Sequence, residues 1–189
     1  MEDTRYIFAK GLKELLKKQP LDKVSVTDLV KVSGKTRQTF YRYFEDKYAL
    51  VNWYFKVLAD QSFLQIGEQE TLKEGLTKKF EFILEDQLFF EAAFLSKDYN
   101  NVEHYDYECI YHFYEGILKK KCGQIPDDIL FLLKMYCHGS ITMTVDWAIH
   151  GMKRSPEELA QYLIDALPPK LEYYLSDLKG SFPGKGYPD

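Results

Sequence analysis

The chain has 189 residues, 46% of them hydrophobic, enough to bury one generous core or two small ones. Its formal charge of -4 hides an asymmetry: residues 1–50 hold 11 Lys/Arg against 7 Asp/Glu, and the remainder is acidic. Three cysteines (Cys109, Cys122, Cys137) without a CxxC pair argue against a disulfide framework and for a reduced, cytoplasmic setting, and the lack of any 18-residue apolar run argues against a membrane span.

Taken in order, the pattern predicts an all-α chain of about nine helices. Ile7, Phe8, Leu12, Leu15 and Leu16 share one face of a first helix over 4–18, which Pro20 ends. The amphipathic N-terminus lacks the apolar core of a signal peptide. Leu21 is expected to plug a three-helix core. Ser25 and Asp28 form a capping box for a second helix with Val26, Leu29 and Val30 inside, and Ser33-Gly34 stops it. Thr36 caps a third helix, pinned by Phe40 and Phe44, whose outer face carries Arg37, Gln38, Thr39 and Arg42. Two short helices crossing at a tight turn, the second rich in donors, make a helix-turn-helix. A linking helix follows over 48–66, with Asp46 as its cap.

From 71 onward the reading is helical throughout: 71–85, 86–95, 104–121, 127–150 and 155–167, with a loop at 97–101. The segment 127–150 is apolar on nearly every side and is expected to be buried on several faces. Ser155-Pro156-Glu157-Glu158 is a helix start, and Pro168-Pro169 breaks that helix before a last piece to 179. Residues 180–189 read as a flexible tail. The expected division is a helix-turn-helix domain over 1–47 and a helical sensing and dimerisation domain over 48–179.

The ordered run Thr39-Phe40-Tyr41-Arg42-Tyr43-Phe44, then Glu45-Asp46-Lys47, resembles the DNA-binding domain of the TetR family of bacterial transcriptional regulators, over 24–53. Lys35 departs from the pattern, since a small apolar residue usually follows the turn glycine. The resemblance implies a homodimer reading a palindromic double-stranded DNA operator. Its dimer interface would be a four-helix bundle made from 129–149 and 159–174. Phosphate contacts are expected from Thr27, Lys35, Thr36, Tyr41, Tyr43 and Lys47, and base-edge contacts from Arg37, Gln38, Thr39 and Arg42. The family's body holds an effector among its central helices. The candidates here are Phe89, Phe90, Phe94, Tyr107, Tyr111, His112, Tyr136, Met143 and Trp147, although an aromatic stripe at helical spacing is more often plain core. Arg37 to Tyr41, Asp46 to Tyr48, Asn52-Trp53, Tyr136 to Ser140, Trp147 and Ser155 to Glu158 resemble the branch of dihydroxyacetone kinase operon regulators. There the signal can come from a partner protein and the outcome can be activation, so the small-molecule or protein effector and the sign of regulation stay open. The competing reading is a helical ligand- or protein-binding coregulator with weak or no DNA binding of its own.

His104, His112, His138 and His150 are scattered, and neither GxSxG nor HExxH occurs. No catalytic residue, metal site or cofactor is expected, and the chain is not read as an enzyme.

Overall fold

The computed structural model describes residues 3–63, 66, 71–98 and 100–175. Those residues form ten α-helices and a short 3-10 turn at Leu21–Lys23, with no strand among them. The expected break at Pro168-Pro169 is present, and the piece after it is the tenth helix. The expected extension to 179 and the tail lie outside the described residues.

Local chemistry sets the helix ends at the front of the chain. Helix α1 (Thr4–Leu16) starts at Asp3, whose carboxylate accepts the Arg5 backbone N–H. It ends two residues before the expected Lys18. Helix α2 (Val26–Ser33) has the full Ser25/Asp28 capping box and stops at Gly34, whose φ of 65° is the left-handed conformation a side chain resists. Helix α3 (Arg37–Tyr43) is capped by Thr36. Helix α4 (Lys47–Phe63) follows, with Asp46 accepting the Ala49 N–H at 2.8 Å.

Helix α5 (Leu72–Glu85) starts behind a Thr71/Glu74 capping box. Helices α6 (Gln87–Phe94), α7 (Val102–Cys122) and α8 (Asp127–Ile149) come next. Helix α9 (Pro156–Asp165) has a Ser155/Glu158 capping box with proline in its first turn, and α10 (Pro169–Leu175) completes the set.

Helix α1 packs on α2, α4 and α6; α5 packs on α9, and α7 on α8. Gly75 lets α4 and α5 approach closely, because a Cβ there would lie 2.9 Å from the Ser62 carbonyl oxygen. At the front, Phe8, Phe40 and Phe44 pack ring against ring, with Phe8–Phe40 centroids 5.1 Å apart, and Leu21 is buried. In the body, Phe55, Phe82 and Phe90 do the same.

Helix α8 departs from expectation. It buries one face, including Ile129, Leu133, Cys137, Ile141 and Ala148, while Phe131, Met135 and Met143 are 68%, 54% and 53% exposed. Among the described residues, helices α6, α7 and α10 lie against α8 and leave its other side uncovered. No helix of the described residues is long and apolar enough to cross a membrane.

Candidate nucleic-acid interface

Helix α3 is seven residues long, and its two anchors decide what faces outward. Phe40 is fully buried and Phe44, at the C-cap, nearly so. That orientation leaves Arg37, Gln38, Tyr41, Arg42 and Tyr43 exposed together. Thr27 is exposed on the first turn of α2, Thr36 is exposed at the cap, and Lys35 is half-buried in the turn between them. The Tyr41 ring leans edge-on against Phe40 and the Tyr43 ring against Phe44, so both phenols sit on the core with their outer edges in solvent.

Three of the ten nominated residues already have their polar groups engaged. The Thr36 hydroxyl accepts the Thr39 backbone N–H at 3.1 Å and lies 2.9 Å from the Thr39 hydroxyl, so Thr39 closes the cap as well as lining the helix. The Lys47 amino group donates to the carbonyls of Asp22 and Val24, each at 2.8 Å. Burial there pulls the Lys47 pKa down, against the opposing pull of Asp22. Lys47 therefore ties the start of α4 to the α1–α2 connection and keeps one donor in hand.

The nine effector candidates take different places in the described part of the molecule. Phe89, Phe90 and Phe94 belong to a packed ring cluster with Tyr54. The Tyr136 hydroxyl donates to the Leu163 carbonyl at 2.9 Å, and the Trp147 indole to the Arg154 carbonyl at 3.0 Å. His112 is exposed between Glu108 and Glu115, and Met143 faces outward. Tyr107 lines a cleft of about 430 Å3 with Lys97, Asn101, His104 and His138, and stacks on His138 and Tyr111. Phe89, Phe90, Phe94, Tyr136 and Trp147 bury their area in helix packing, and the polar tips of Tyr136 and Trp147 are satisfied by carbonyls.

One feature of the body escaped the sequence reading. Lys79 of α5 and Asp106 of α7 form an ion pair at 2.6 Å with side chains 2% and 1% exposed. Burial pushes the Asp106 carboxyl above the ordinary carboxylate range, and Lys79 draws it back. Asp106 sits in an apolar row at four-residue steps, with Val102, Ile110, Tyr114 and Leu118, and a charge in such a row is the signal that could have found the pair.

Comparison with known proteins fits this geometry. Residues 10–53 match the family described as bacterial regulatory proteins, tetR family, and residues 70–168, just over half of the chain, match a transcriptional regulator C-terminal region. The chain belongs to the TetR family of transcriptional regulators. It is a regulator of that type and not an enzyme.

Among curated relatives of this TetR-family chain is the HTH-type dhaKLM operon transcriptional activator DhaS of Lactococcus lactis subsp. lactis (strain IL1403), 26% identical over 102 residues. That match spans 54% of each protein, about half the length of the relative. Among solved structures, the dihydroxyacetone kinase operon activator DhaS superposes with a TM-score of 0.65 at 21% identity, covering 90% of this chain and 97% of that one. A TetR transcriptional regulator from Streptococcus agalactiae 2603V gives 0.62 at 23% identity, covering 87% and 93%. These likenesses show the shared fold.

Proposed function

We propose that two copies of this chain form a cytoplasmic dimer that reads a palindromic DNA operator through α3, under the control of an effector or partner protein acting on the body. The division into a reading head, residues 1–47, and a body from 48 onward is part of this reading. The observation that carries it is the outward face of α3: Arg37, Gln38 and Arg42 are exposed together because Phe40 anchors the opposite side. Arginine can fork onto guanine and glutamine onto adenine in the major groove. Thr27, Lys35, Thr36, Tyr41, Tyr43 and the remaining donor of Lys47 would hold phosphates, and Thr39 would add a base-edge contact. The exposed Phe131, Met135 and Met143 on α8 and Tyr162 on α9 support pairing of two copies there. The likeness to an operon activator makes activation the sign to test first.

The test is selection of duplexes from a random pool by the full-length chain, followed by binding titrations at several salt concentrations. A palindromic consensus and a steep salt dependence are expected. Arg37→Ala should lose about 1–3 kcal/mol of discrimination at one base position. Lys35→Ala should weaken all sequences alike and flatten the salt slope by roughly 0.9. A pool that never enriches, or equal losses across all sequences for both variants, would refute the reading.

A further inference from the structure

Helix α6 has eight residues, about 12 Å of helix, and is held at both ends by residues of the first fifty. Asp86 occupies its N-cap position, where an aspartate normally accepts the first free N–H groups of its own helix. It makes no such bond. Its carboxylate accepts instead from the Lys13 amino group of α1, at 2.6 and 2.8 Å, and from the Tyr54 hydroxyl of α4 at 2.5 Å. Lys13 also donates to the Tyr54 hydroxyl and lies 4.5 Å from the centre of its ring. The Lys13 and Asp86 side chains are only 29% and 25% exposed, so water and salt screen this pair less than a surface pair.

At the other end, Ser96 lies just beyond α6 and donates to the Asp22 carboxylate at 2.5 Å; the Tyr48 hydroxyl reaches the same oxygen at 3.2 Å. Asp22 belongs to the α1–α2 connection, and its carbonyl also holds Lys47. Between the two anchor points, Leu16, Pro20 and Leu21 face Ala92 and Leu95 across a small cleft of about 180 Å3. One anchor would let the front of the chain pivot on α6. Two anchors, one at each end, remove that freedom.

We propose that Asp86 and Asp22 are positioning residues for DNA reading: they brace the head against both ends of α6 and so set how far apart the two α3 helices of a dimer stand. The proposal rests on the operator reading above and adds the structural origin of half-site spacing. Each base pair inserted between half-sites moves one of them along and around the duplex axis, with 10–10.5 pairs to the turn. A braced head tolerates that displacement poorly, and a loosened head follows it.

The experiment uses the full chain and the duplex it selects, remade with the central spacer one or two base pairs shorter or longer. The wild type should bind the native spacer best and lose affinity steeply on either side. Asp86→Asn keeps the shape and removes the charge; Ser96→Ala removes one hydrogen bond and is the milder variant should Asp86→Asn fold poorly. Each should narrow the gap between native and altered spacers by roughly threefold to tenfold, the coupling expected within one network. The double variant should narrow it further, and Lys13→Asp with Asp86→Lys should restore the steep profile. Profiles that fall in parallel with the wild type, whatever the affinity, would mark the contacts as merely stabilising and overturn the proposal. A swap that stays as flat as Asp86→Asn would do the same for the Asp86 anchor. Failure of the wild type to select any duplex would show before any variant is made, and would remove the operator reading and this inference together.

Discussion

The two ends of this molecule treat their cations in opposite ways. On the head, Arg37 and Arg42 stand in water. In the body, Lys79 is shut away with Asp106. A hydrated cation can exchange its water for a phosphate and release counterions from DNA, so exposure keeps it ready for a partner that comes and goes. A buried cation has no such choice. It must carry its partner with it, because a stranded charge in an apolar interior is costly. Lys47 lies between these extremes, with two carbonyls holding it and one donor left. One residue type thus serves three purposes, and the surroundings decide which.

The comparison breaks first, if it breaks, at Lys79. Lys79→Met leaves Asp106 buried and unpaired and should cost about 3–5 kcal/mol in urea unfolding, while Lys79→Met with Asp106→Leu should recover most of that. A single-variant loss well under that range would mean that the pair is open to water. A smaller effect is expected at the capping box of the head. Ser25→Ala should cost about 1 kcal/mol and speed amide exchange in α2, leaving α8 and α9 as they were. If exchange rises equally in the body, the head does not open by itself. The smallest effect on stability belongs to the exposed cation. Arg37→Ala should change unfolding by no more than about 0.5 kcal/mol even as base choice relaxes. A larger loss would place Arg37 inside the fold's own packing and out of reach of DNA.

The residues of the head were legible because their instructions are local. Ser25 to Asp28, Gly34, Thr36 and the Phe40–Phe44 pair act over three or four positions, and each does in the structure what its spacing promised. The body was legible only as helices. Its apolar residues recur at helical spacing whether they pack on a neighbour or face a ligand, so the period could not separate Phe90, which is core, from Met143, which is exposed. Asp106 left a trace as a charge in an apolar row. Lys13 and Asp86 left none, being 73 residues apart.

From its sequence alone, this chain has its helix starts and stops, the inward rings of α3 and its place in the TetR family, since caps, turns and motif spacings act within a few residues of backbone. Which charges meet, which aromatic rings are enclosed, and that α8 keeps an apolar face outward were decided by how the helices lie against one another. Those contacts join residues far apart in the chain, and only packing brings them within reach.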